Sequence, residues 1–207
     1  MRKKSSTVSI LIFLNGIVFL AWQFSESVGF MKQNFLVSYD LLDQGHYQTL
    51  VTSVFSHSMT LHFLINMFVL HSFGPFLEAF LGKLQFLALY LFFGIMGSLS
   101  HSLTSFYLLN EPELPALGAS GAIAGIIMLF SLSFPKEKIL LFAIIPLPAI
   151  FGALAFVGLD LWGLYEQSGG SGLPIGHGAH LGGAFAGVLA YVLFVRQRKK
   201  KLLLQQR

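Results

Sequence analysis

Ser120 stands in Gly118-Ala119-Ser120-Gly121, where a loop carrying Glu111, Glu113 and Pro115 turns into the apolar run from Ala122 to Phe130. His180 stands in His177-Gly178-Ala179-His180-Leu181-Gly182-Gly183, which opens the last apolar run in the same way. A hydroxyl flanked by small residues can be approached closely by another backbone, and an imidazole at matching depth can take its proton. A nucleophile and its base are the chemistry these two types make together. His62 and Asn66 lie four residues apart, so they share one helix face. Their N–H groups, with the Ser120 backbone N–H at a helix start, are the donors that the negative oxygen of a tetrahedral intermediate needs.

Elements of the right kind must position them. The 207 residues are 55% hydrophobic and only 11% charged, with mean hydropathy +0.72. A soluble domain carries about 25% charged residues, so this is an integral membrane protein of helical class. Six apolar runs stand out, at 8–22, 62–80, 84–106, 119–134, 139–161 and 178–195. A span needs about 20 residues, so the first and fourth are short. Together they make one domain over 1–207, with short basic tails at 1–6 and 196–207. The first run follows Arg2, Lys3 and Lys4 as a signal peptide would. Trp22-Gln23-Phe24-Ser25 is a poor match to a small-residue cleavage site, so a retained span is expected.

Orientation follows from lysine and arginine. With the N-terminus inside, 12 of the 13 basic residues fall on the inner side and only Lys32 on the outer. That bias sets both termini in the cytoplasm. The charge therefore reads as membrane orientation and not as nucleic-acid binding. The second, fourth and sixth spans then all run from outside to inside. His62, Asn66, Ser120 and His180 lie in their first two turns, within about 10 Å of the outer ends. Polar groups at that depth are costly unless they face protein or water, and convergence on one wet pocket satisfies all four.

Each piece also has a plainer reading. A serine between glycines is commonly a packing residue. Gly121 with Gly125, and Gly183 with Gly187, are small-xxx-small pairs that pack helices closely. Packing through those faces would itself bring Ser120 and His180 together. His57, just before the second span, lines the pocket or steadies the outer loop; His177, one turn before His180, orients the pocket or holds a loop. His71 and His46 read as structural or interfacial, and His101 receives no role. No cysteine is present. His177 and His180 are i,i+3, but no carboxylate is expected at their depth, so neither a metal nor a cofactor is expected. Asp160 is expected at the far end of the fifth span, which leaves a Ser–His dyad. The fifth span opens with Pro146 and Pro148, which should bend or loosen it. The segment between the first two spans should be an interfacial structure lying partly in the outer leaflet.

The ordered set of His62-Phe63-Leu64-Ile65-Asn66, Gly118-Ala119-Ser120-Gly121 and His180-Leu181-Gly182-Gly183 with Gly187 resembles the rhomboid family of intramembrane serine proteases. The lead-in Thr52-Ser53-Val54-Phe55-Ser56-His57 is similar as well. The resemblance implies a six-helix bundle, with Ser120 as nucleophile and His180 as base. It implies an oxyanion hole of His62, Asn66 and the Ser120 amide, and transmembrane proteins as substrates. Tyr47-Gln48 stands where many members carry Trp-Arg. Ala124 stands where some carry an aromatic residue against the catalytic histidine. A catalytically silent rhomboid-like protein that binds membrane clients is the rival, with a small transporter behind it. The sequence carries no signal of oligomeric state. The lack of an Arg/Ser-rich presequence favours a bacterial plasma membrane over an organelle.

Overall fold

The structure is a computed structural model that describes residues 6–141 and 145–197. Arg2, Lys3, Lys4 and the basic run from Arg198 lie outside the described residues, as do residues 142–144 of the expected fifth span. Helix α1 (Thr7–Phe24) is capped by Ser6, whose Oγ accepts the Ser9 N–H at 3.1 Å. The Thr7 and Val8 N–H groups donate to the Glu78 carboxylate at 2.9 and 3.1 Å. Glu78 thereby satisfies donors that a helix start leaves open. This explains a buried acid in an otherwise apolar inner half.

The outer segment folds into α2 (Val28–Phe35), α3 (Tyr39–Asp43), α4 (Thr49–Thr52) and a 3-10 turn at Ser53–Phe55. Its apolar residues divide: Met31, Val37 and Val54 are buried on the bundle, while Val28, Phe30, Tyr47 and Val51 are exposed. Val37 pairs with Ala116 through two backbone hydrogen bonds of 2.9 and 2.8 Å. The Gly118 N–H donates to the Ser53 carbonyl at 2.9 Å. Trp22 Nε1 donates to Ser56 Oγ at 2.6 Å. With Tyr47 exposed, these contacts, with the Tyr39 ring stacked on Phe106 at 3.9 Å and Ser53 Oγ bonded to Ser98 Oγ, tie the segment to the bundle.

Then come α5 (Thr60–Leu81), α6 (Lys83–Tyr107) and α7 (Ser120–Ser133). Eleven of the 14 residues of α7 are buried, which makes it the central helix; α5, α6, α8 and α9 all pack on it. The last two helices are α8 (Ala149–Ser168) and α9 (His177–Ala190), the latter continuing in a π-helical turn at Tyr191–Val195. Counting α9 with that turn, five helices among the described residues are long and apolar enough to cross a membrane, with α7 as a shorter apolar helix. Leu154, Leu159, Leu161, Trp162 and Tyr165 of α8 are exposed. Such a face is stable in lipid and a liability in water.

The fifth helix departs from expectation. β1 (Lys138–Leu141) and β2 (Ile145–Pro148) pair antiparallel, with Ile139 opposite Leu147. Pro146 and Pro148 lack backbone donors and hold Ile145 and Leu147 extended. The helix starts only after Pro148, which has φ −56° and ψ 135°. The prolines therefore do not bend α8; they delay it, and it runs on to Ser168.

Candidate active site

Three backbones meet where α6, α7 and α9 cross. A Cβ built on Gly97 would lie 2.9 Å from the Ala179 carbonyl oxygen and 3.1 Å from Gly121 Cα. One on Gly183 would run into the Gly121 carbonyl, and one on Gly187 would come within 2.6 Å of the Gly125 carbonyl. Side chains larger than hydrogen would hold these helices apart. Ser120 precedes Gly121 at the first position of α7, and His180 follows Ala179 in the first turn of α9. The contact of small faces anticipated from the two glycine pairs is thus present, and both residues are half-buried beside it.

The surroundings of His180 are built by α8. Asp160 Oδ1 accepts from His180 Nδ1 at 2.9 Å and from His177 Nδ1 at 2.7 Å. Asp160 is only 4% exposed. A proton held on His180 Nδ1 leaves Nε2 as the free acceptor, which is the tautomer a general base requires. Phe156, one turn before Asp160, places its ring 5.5 Å from the His180 ring, tilted by 31°. Gly163 leaves room on the same helix for the His177 ring.

Two expectations change here. An acidic residue does stand at the level of His180. Because α8 begins at Ala149 and runs to Ser168, Asp160 has two turns of helix beyond it and sits within the span. And the aromatic support that Ala124 cannot give comes from Phe156 on a different helix. The signal for Asp160 was in the sequence, as the one acid inside the fifth apolar run, where an unpaired carboxylate is costly.

On the donor side, the Gly118 backbone has φ +123°, and a Cβ there would be 2.6 Å from His62 Cε1. Only glycine fits both demands, so the His62 ring lies over the loop that delivers Ser120. Asn66 is buried, and its Nδ2 donates to His57 Nε2 at 3.0 Å. The Ala119 N–H approaches the same nitrogen at 3.4 Å. His57 Nε2 thus faces both the Asn66 amide and the backbone N–H that precedes Ser120, and its ring packs edge-on to His62 at 5.1 Å. It is fully buried, outside the membrane-spanning helices, and its Nδ1 faces the Phe55 backbone without a well-formed bond. Burial above all, and the facing His62, lower its pKa to about 3. It is a neutral acceptor that sets the Asn66 amide, which is more than steadying a loop. As first residue of α7, Ser120 keeps an N–H with no intrahelical acceptor.

The remaining histidines serve elsewhere. His101 Nε2 bonds the Leu114 carbonyl at 3.1 Å and holds the loop before Ser120. His71 is exposed on α5. His46 sits among Gln33 and Gln48 in the outer segment. Among the described residues, Asp160, His177 and His180 form one group with metal-ligand types, their ligand atoms all within 4.8 Å of one another.

The chain matches the rhomboid domain family model over residues 44–197. It is 35% identical over 211 aligned positions to Rhomboid protein 1, mitochondrial, of Saccharomyces cerevisiae, covering 94% of this chain and 56% of that protein. It is 32% identical to RHOMBOID-like protein 12, mitochondrial, of Arabidopsis thaliana, over 87% of this chain and 56% of that one. It is 33% identical to Presenilin-associated rhomboid-like protein A, mitochondrial, of Danio rerio, over 88% and 46%. The chain spans about half the length of these relatives. All three are mitochondrial by name, so they lend no support to a bacterial plasma membrane. With the domain match, the crossing glycines of α6, α7 and α9 and the apolar outer faces taken together, this multi-pass membrane protein belongs to the rhomboid family.

Proposed function

We propose that the chain is an intramembrane serine endopeptidase that cleaves transmembrane segments of membrane-protein substrates. Ser120 Oγ attacks the scissile carbonyl and His180 Nε2 takes its proton, later giving it to the leaving amine. Asp160 is a positioning residue: it holds the Nδ1 proton and stabilises the imidazolium as it forms. His62, the Asn66 amide and the Ser120 N–H receive the oxyanion, with His57 orienting Asn66 from behind. Gly118, Gly121 and Gly183 supply the close approach of loop and helices. The reading is carried by one observation, the meeting of α7 and α9 at Gly121 and Gly183 with His180 held at Nδ1 by Asp160.

The test is cleavage of a single-span substrate in liposomes by wild type, Ser120→Ala and His180→Ala, with fluorophosphonate labelling of each. Wild type should cut and label at Ser120, and neither variant should do either. Labelling without cleavage points to a different substrate. Absence of both under conditions that keep the fold would favour a silent client-binding protein.

A further inference from the structure

Asp160 gives one oxygen to two histidines and leaves the other idle. Oδ2 is buried with no hydrogen-bond partner among the described residues. The ion-pair partners found for this carboxylate are the two imidazoles themselves. A buried carboxylate with a vacant lone pair, facing two imidazole nitrogens, suits a divalent cation better than a pair of N–H donors. We infer that Asp160, His177 and His180 form a site for a first-row transition metal, Zn2+ in particular, and that filling it switches the base off.

The donor set is carboxylate and imidazole with no thiolate, which suits zinc and cobalt, with water as the fourth ligand. Tetrahedral zinc with bonds of about 2.0–2.2 Å spaces its ligand atoms by roughly 3.3–3.6 Å. Here the nitrogens stand 2.7 and 2.9 Å from Oδ1, and all the ligand atoms lie within 4.8 Å of one another. Seating the ion asks for movements on the order of an ångström, by a two-bond carboxylate and two rings in the first turn of α9. Gly163 gives the His177 ring its clearance, and His180 is half-buried beside the proposed wet pocket.

The consequence for catalysis rests on the protease reading. A metal bound to Nδ1 takes the lone pair there, so each neutral imidazole carries its single proton on Nε2. Two Nδ1–H become two Nε2–H, with no net proton released. His180 Nε2 then donates and can no longer accept the Ser120 proton. The metal inhibits by fixing the wrong tautomer, with no need to obstruct the pocket.

The experiment uses the full chain in detergent and Co2+ as the probe. One equivalent should give the visible band of tetrahedral cobalt, and Zn2+ should displace it. Asp160→Asn, which preserves shape, and His177→Ala should each weaken binding at least tenfold. Fluorophosphonate labelling of Ser120 is then compared with and without Zn2+, each protein against its own metal-free rate. Wild type should slow at least tenfold and His177→Ala should not. Absence of the band, or a band that survives both substitutions, overturns the site. Equal slowing of wild type and His177→Ala overturns the switch. If wild type never labels, the protease reading falls with it, and the cobalt band alone decides whether the metal site stands.

Discussion

A serine hydroxyl is a poor nucleophile at neutral pH until its proton has somewhere to go. In the proposed mechanism the acceptor is His180, prepared from the far side by the 2.9 Å bond between its Nδ1 and Asp160. Asp160→Asn keeps the volume but offers an amide that can present N–H to Nδ1 and favour the unproductive tautomer. Its kcat should fall at least tenfold with KM little changed, short of the roughly 10^4-fold loss seen for a triad aspartate. Unchanged kcat in liposome assays would reduce Asp160 to a packing group. His57 makes a prediction in pH. Its pKa is about 3 when folded, against 6.5 in the unfolded chain. The unfolded state therefore binds the extra proton first, and the stability His57 lends at pH 7 drains away as pH falls below about 6.5. Thermal unfolding in detergent should show the melting temperature dropping from pH 7 to 4.5, and dropping less in His57→Gln. Parallel losses in the two proteins would place the acid sensitivity elsewhere.

Elements bring these residues together, and here the helices meet through absence of side chain. Gly183→Ala drives a methyl into the Gly121 carbonyl. Overpacking of that kind costs about 1–3 kcal/mol, and it pushes His180 away from Ser120. Gly158 of α8 is the natural control, since a Cβ there meets nothing within 4 Å. Gly158→Ala should be neutral or slightly stabilising, as helix propensity favours alanine by about 1 kcal/mol. Melting temperature and cleavage should both fall in the first and hold in the second; matching behaviour would mean that the crossing is not tight. Much of this was readable in the sequence. The glycine pairs, the apolar runs and the i,i+4 spacing of His62 and Asn66 each follow a periodicity that helices impose locally. The part that stayed hidden depended on a boundary. Pro146 and Pro148 were visible, but whether they kink a helix or precede one is decided by the pairing of β1 with β2, a contact between strands. That shift of ten residues is what lowered Asp160 and Phe156 to the level of His180. The orphaned Oδ2 and the role of His57 depend on three-dimensional neighbours that no spacing encodes.

At the scale of the molecule, α7 is surrounded while α8 lies at the edge, against α7, α9 and the two strands. A substrate helix that enters sideways needs an edge element to yield, and α8 carries Asp160 and Phe156 with it. The chain has no cysteine of its own, so a pair introduced on α5 and α8 can be cross-linked cleanly. Complete cross-linking should lower cleavage of membrane substrates while leaving fluorophosphonate labelling of Ser120 largely intact. Undiminished cleavage would remove α8 as the element that yields. Helix α7 itself carries a last consequence. At 14 residues it is about 21 Å long, against a hydrocarbon layer of about 30 Å. Such a rod cannot reach both faces of the bilayer. Anchored at its C-terminal end by Phe130 and Phe134 against Phe73, Phe76 and Phe80, it leaves a shortfall beyond its first residue, and that first residue is Ser120. On the proposed protease reading the helix works as a ruler: the turns it lacks would set how deep the reaction lies beneath the surface, and one added turn would lift the hydroxyl about 5 Å toward the headgroups.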